Sequence, residues 1–251
     1  MVVYRCQDSL EGIFTAIYQA YEEKRNHGET ILSLSEDPML FAEDVYVVPD
    51  EEKTQKVMNT LRRRFGEKDS YSLCLALATE DEEKAQAVYR TVVEGLRSNC
   101  GPGRLFDDLT NDNIHKAFAL ARSANREVGR ELEFVRFQEL ENGVLYSRIG
   151  PKCNVLTFIM PHFADRLPIE NFVIYDDRRN LFGIHPARKQ WYLLRGEEAA
   201  EPQLRFSEME ESYQELFRHF CRTIAIRERK NLKLQRNMLP LRFQEYMTEF
   251  R

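Results

Sequence analysis

At 251 residues, with 43% hydrophobic and 31% charged side chains and a formal net charge of −5, the chain has the make-up of an ordinary globular protein with a sizeable core. Disordered and collagen-like classes are excluded, and no apolar run approaches the roughly 18 residues of a spanning helix, so no membrane partner is expected. The scattered cysteines Cys6, Cys74, Cys100, Cys153 and Cys221 form no Cys-x-x-Cys pair, which argues against a zinc knuckle or an iron–sulfur loop; with a Met-Val-Val-Tyr start lacking signal-peptide character, they point to a reducing cytoplasm.

Val2 to Arg5 reads as a short strand, and Asp8 with Glu11 forms a capping box before a helical stripe of Leu10, Ile13, Phe14, Ile17, Tyr18 and Tyr21. A second strand, Val45 to Val48, stops at Pro49. Helical segments follow through Val57, Leu61 and Phe65, around Leu73 to Leu77, and from Ala85 to Leu96, up to the turn Gly101-Pro102-Gly103. This order predicts a small N-terminal α/β layer over residues 1–105.

Residues 106–251 are expected to form an α+β part in which helices cover an antiparallel sheet. Its first helix carries Ile114, Ala117, Phe118, Ala121, Ala124 and Val128 on one side, with His115, Arg122 and Arg126 on a basic face. Glu133 to Leu140 and Val144 to Ile149 flank Glu141-Asn142-Gly143, a strong hairpin signal. Val155 to Met160 leads into a short helical segment near His162 to Arg166. Phe172 to Tyr175, Leu181 to Ile184 and Gln190 to Leu194 read as strands joined by tight turns, which favour antiparallel pairing. Ser207 with Glu210 caps a helix whose stripe of Met209, Tyr213, Leu216, Phe217, Phe220 and Ile224 is expected to cover that sheet. Pro240 closes the looser stretch after Arg229.

Charge is unevenly placed along the chain. Residues 1–110 hold 13 basic and 21 acidic side chains (net −8), and residues 111–251 hold 23 and 20 (net +3). Between Leu216 and Arg242 stand Arg218, Arg222, Arg227, Arg229, Lys230, Lys233, Arg236 and Arg242 against a single acid, Glu228. Arg218, Arg222 and Arg229 fall within about 40° on a helix, opposite the apolar stripe. Such an edge either grips phosphates or is a solvated face in which Glu215 pairs with Arg218. In the phosphate reading Asn231 and Gln235 hydrogen-bond backbone or base edges. Arg227 points to the apolar side and needs either a buried carboxylate or an anionic ligand, and Arg136 poses the same choice. Tyr146 near Arg148, and Phe243 after Arg242, are either a base-stacking surface or core packing. For acid/base or metal chemistry the candidates are His162 and Asp165, with Asp176, Asp177 and His185. No spacing marks a metal site, and no Gly-x-x-x-x-Gly-Lys loop implies a nucleotide cofactor; none is expected.

Glu-Phe-Val-Arg-Phe (Glu133 to Phe137), Pro-His-Phe-Ala-Asp-Arg (Pro161 to Arg166) and, most specifically, Ile-Ala-Ile-Arg-Glu-Arg-Lys-Asn-Leu-Lys-Leu-Gln-Arg-Asn-Met-Leu-Pro-Leu-Arg-Phe (Ile224 to Phe243) are strings of a known pattern. With them, and with Leu10-Glu11-Gly12 after a tyrosine-bearing strand, the chain resembles a bacterial family of DNA metabolism proteins. The resemblance implies an association with a radical-SAM protein bearing helix-hairpin-helix elements, and with uracil-DNA glycosylase-like proteins to which a related domain is joined. The family pattern carries a histidine where this chain has Gly129, so the resemblance transfers no catalytic residue. The resulting expectation is an accessory or nucleic-acid-binding component of a bacterial DNA repair or modification system, with DNA as its partner. The alternatives are an enzyme acting on nucleic acid or a nucleotide through His162, Asp165 and His185, and an adaptor docking a radical-SAM partner through its acidic N-terminal part.

Overall fold

The computed structural model describes residues 1–196, 204–226, 229 and 231–250. The chain divides into two compact units, Met1–Arg126 and Glu127–Arg251. The division falls inside a helix and not at the Gly101-Pro102-Gly103 turn, because the first half of that helix packs on what precedes it. Phe118 meets Phe106, and Lys116 pairs with Asp81 and Glu83.

In the first unit a three-stranded parallel sheet, ordered β2-β1-β3, comprises β1 (Val2–Cys6), β2 (Thr30–Ser33) and β3 (Glu43–Val47). Strand β2 carries no pattern strong enough to announce it. It is a strand because Thr30 and Leu32 alternate inward while their neighbours do not. Helix α1 (Leu10–Glu22) buries Ile13, Phe14 and Ile17; its N-cap is Ser9, accepting from Gly12 N–H, and not Asp8, which instead pairs with the buried Lys84. The two helical segments expected after Pro49 form a single element, α2 (Glu51–Leu77), kinked at Gly66. Gly66 has φ +82, which a side chain would resist, and the kink lets the Phe65 carbonyl accept from Gly103 N–H. Helix α3 (Lys84–Arg97) and the start of α4 (Asp112–Phe134) complete the unit.

The second unit holds a five-stranded sheet in chain order: β4 (Gln138–Glu139), β5 (Leu145–Ile149), β6 (Phe172–Asp176), β7 (Leu181–His185) and β8 (Tyr192–Arg195). The fold is α+β. The hairpin at Asn142-Gly143 joins β4 to β5 in antiparallel register. One pairing departs from the antiparallel expectation: β5 and β6 run parallel, because the segment between them is a crossover carrying helix α5 (Leu156–Arg166). Leu156, Ile159, Met160 and Phe163 of α5 are buried, as are Ile149, Phe172 and Ile174 of the sheet. Helix α4 runs on to Phe134, so Arg136 stands in a connector and not on a strand.

The C-terminal elements are α6 (Glu208–Thr223), α7 (Leu232–Met238), α8 (Leu241–Gln244) and a 3₁₀ turn at Thr248–Phe250. Ser207 caps α6 as expected. The stripe of α6, however, does not close over the sheet: Tyr213, Leu216 and Phe220 keep 62, 61 and 53% of their surface exposed. Among the described residues no helix is long and apolar enough to cross a membrane.

Candidate functional site

Two sets of contacts hold the ends of a basic segment, and most of the described residues between them are exposed. At the start of α6, Ser207 N–H donates to the Glu139 carbonyl at 3.0 Å, Ser207 Oγ meets Glu139 Oε2 at 3.1 Å, and Glu139 N–H donates to Glu210 Oε2 at 3.1 Å. Leu140 and Phe206 form a β-bridge. The segment before α6 thus extends the hairpin edge and sets where the helix begins.

At the far end, the chain after Pro240 docks where the parallel strands β5 and β6 end. Arg242 makes a two-pronged ion pair with Glu127 of α4, 2.5 Å at each contact, and its guanidinium lies 4.2 Å from the Phe243 ring centre. Phe243 is buried against Phe134. Tyr246 Oη donates to Asp177 Oδ2 at 3.0 Å, and Arg148 Nε reaches the same oxygen at 2.9 Å. Arg136 pairs with Glu249 at 3.1 Å, which answers its question in favour of a structural ion pair. The loops themselves are tied together, since Arg179 binds Asp176 and the carbonyls of Pro151 and Lys152, and Lys152 N–H donates to Glu127.

This cluster is electrostatically uneven. Burial opposes ionisation of Glu127, but the Arg242 guanidinium and the Lys152 N–H outweigh it and hold the carboxyl below its ordinary range. One turn along α4, Glu131 is 2% exposed and its Oε1 has no hydrogen-bond partner. Burial, reinforced by the Glu127 charge, pushes that carboxyl up to about 8, so it carries a proton at neutral pH. Burial also raises Asp176, against the pull of Arg179. Among the described residues no group of three or more His, Cys, Asp or Glu is arranged to hold a metal ion.

Gly150 is the small residue on which this docking depends. A Cβ there would come within 2.6 Å of Tyr246 Cζ. Gly150→Ala is expected to push the phenol off Asp177 and cost about 1–3 kcal/mol in urea unfolding. The same substitution in a Tyr246→Ala background should cost much less, and equal costs in both backgrounds would mean that the ring is not the obstacle.

Between the two anchors lie the cations. Arg222, Arg229, Lys233 and Arg236 are exposed and Arg218 is half-buried, and among the described residues none of them forms an ion pair. The pairing of Glu215 with Arg218 is not made. Asn231 caps α7 by accepting from Leu234 N–H, and Gln235 is exposed on that helix. Arg227 and Lys230 lie outside the described residues. Arg242 belongs to the anchor, held by Glu127. Of the aromatic neighbours, Tyr146 and Phe243 are buried and serve packing.

The acid/base candidates are placed apart by exposure. His162 and Asp165 lie on the exposed side of α5, whereas His185 is buried, stacked on Phe172 at 4.6 Å, with Nδ1 at 3.0 Å from the Glu170 carbonyl. Asp176 and Asp177 are engaged by Arg179 and Arg148. Gly129, on α4, would present a side chain to open space. Sequence reasoning missed the anchors Glu127, Glu131 and Tyr246. Arg242, near the end of the string Ile224 to Phe243, is the available signal, but its place in the cation run disguises its role as an anchor.

The profile of DUF4130, a domain of unknown function, matches residues 82–249, from just before α3 to the C-terminal 3₁₀ turn. The chain belongs to this family. No curated protein matches it. In this DUF4130 chain the matched stretch includes both anchors and the cations between them.

Proposed function

We propose that this DUF4130 protein is an accessory, nucleic-acid-binding component of a bacterial DNA repair or modification system, holding a polynucleotide backbone along α6 and α7. The observation that carries the reading is the concentration of solvated cations on one segment of the second unit, beside arginines that the fold pairs. Arg136, Arg148, Arg179 and Arg242 each have a carboxylate, whereas Arg222, Arg229, Lys233 and Arg236 stand exposed with no ion pair among the described residues. Cations left solvated between two anchored ends are available to displace counterions from phosphates. Arg229, Lys233 and Arg236 make the phosphate contacts in this reading, Arg222 leads into them, and Gln235 is placed to hydrogen-bond sugar or base edges. The assignment to DNA, and to a system with a radical-SAM helix-hairpin-helix partner, rests on the family resemblance of Ile224 to Phe243.

The test is fluorescence anisotropy of labelled single- and double-stranded DNA across a salt series, with wild type and the Arg229→Ala/Lys233→Ala/Arg236→Ala variant. Wild type should bind with log-log salt dependence, and the variant should lose about 2 units of slope on single strands and roughly ten- to a hundredfold in affinity at low salt. No binding of either strand form at about 20 mM salt, or an unchanged slope in the variant, would remove the phosphate-track reading.

A further inference from the structure

Helix α6 leaves an apolar seam uncovered. Met209, Tyr213, Leu216 and Phe220 recur at spacings of four, three and four residues, with Phe217 and Ile224 beside them. That is the seam of a two-helix coiled coil. All six are exposed, between 40 and 63%. A depression of about 430 Å³ runs along the first half, lined by Glu208, Met209, Ser212, Tyr213 and Leu216. A row of this size on an otherwise polar helix is a binding surface, not a scatter of exposed residues.

The charges of α6 name the occupant. The first half carries Glu208, Glu210, Glu211 and Glu215 and no base; the second half carries Arg218, His219 and Arg222 and no acid. Two such helices side by side in the same direction would set acid against acid and base against base. Running in opposite directions, each acidic half meets a basic half, and the surface complements itself about a two-fold axis. We propose that α6 pairs antiparallel with α6 of a second copy of this chain. With the axis between Leu216 and Phe217, Tyr213 lies against Phe220 of the second copy and Met209 against Ile224. Glu211 then comes within reach of Arg222, and Glu215 within reach of Arg218. The six side chains offer roughly 600 Å² per copy, at the lower end of what a specific dimer buries. Of the cations in the nucleic-acid reading the pairing draws on Arg222 alone, since Arg229, Lys233 and Arg236 lie beyond the paired helix and remain open to phosphates.

Sedimentation velocity of the full chain over about 1–500 µM tests this, with circular dichroism melts as the folding control. Wild type should form a concentration-dependent dimer. Leu216→Glu/Phe220→Glu should be monomeric throughout with an unchanged melt at low concentration, because both side chains are exposed in the single chain. Glu211→Lys/Glu215→Lys should weaken the dimer at least tenfold, and adding Arg218→Glu/Arg222→Glu to that chain should restore it by inverting both halves. A wild type that stays monomeric overturns the proposal and leaves the seam to a different protein. A dimer that survives Leu216→Glu/Phe220→Glu, or a fourfold charge swap that fails to rescue, overturns it as well.

Discussion

Arg242→Ala is expected to lower the stability of the second unit by about 3 kcal/mol, which is a fall of about 10 °C in Tm for a unit of this size. The size follows from what stays behind. Glu127 is buried on α4, one turn from the buried Glu131, and without the guanidinium it keeps the Lys152 N–H as its charge-assisted donor. Removing one partner of such a pair costs more than the pair contributes, because an uncompensated carboxylate remains in a poorly hydrated place. Replacing both by methionine should therefore recover most of the loss. The pH dependence supplies a second check. Glu127 titrates below its unfolded value, so its contribution is present above roughly pH 4.3 and disappears as pH falls through the folded pKa. The cost of Arg242→Ala should shrink over the same acid range. A cost below about 1 kcal/mol at neutral pH, or one independent of pH, would mean that the C-terminal segment is held by Phe243, Tyr246 and the Arg136–Glu249 pair without Arg242.

Glu131 predicts the opposite slope. Its folded pKa lies at about 8, well above the roughly 4.3 of an unfolded glutamate, so between these values the folded chain holds a proton that the unfolded chain releases. Stability contributed through this group is fully present below about pH 4 and falls with rising pH by about 1.4 kcal/mol per unit until the folded carboxyl also ionises. Glu131→Gln keeps the shape and cannot ionise. The stability of Glu131→Gln minus that of wild type, from urea unfolding at pH 5 to 9, should climb through this window and level off near pH 8. Asp176 is raised too, but it is common to both proteins and cancels in the difference. A difference that is flat with pH would show that Glu131 is ionised in the folded chain.

These two carboxylates illustrate what the amino-acid sequence conceals. Glu127 and Glu131 stand one turn apart on an amphipathic helix, in a stretch where Arg122, Arg126 and Arg130 suggest an ordinary charged face. Glu127 finds its partner in Arg242, more than a hundred residues away, and no local spacing announces that pair or the burial of Glu131 beside it. The same holds for Arg242. By composition it extends the run of cations from Arg218, yet among the described residues of that run it is the one held by a carboxylate, because Pro240 redirects the chain and Phe243 finds Phe134. His185 was a plausible acid/base group from its place beside a turn. Alternation along β7 puts it on the buried side, stacked on Phe172.

Local physics determined much of the rest. The hairpin at Asn142-Gly143, the Ser207 cap, the stripe of α1 and the strands β6 and β7 all rest on contacts between residues near in sequence, where turn chemistry and periodicity are decisive. The concentration of positive charge between Leu216 and Arg242 is likewise a property of the sequence alone. Tertiary structure decided what local pattern leaves degenerate. A short strand such as β2 exists only because β1 offers it hydrogen bonds, and β5 and β6 are parallel only because α5 packs as a crossover between them. An amphipathic stripe such as that of α6 specifies a face to be covered, but not by what. Hydrophobic burial is non-directional, so the pattern alone is satisfied equally by a sheet of the same chain or by a helix of another.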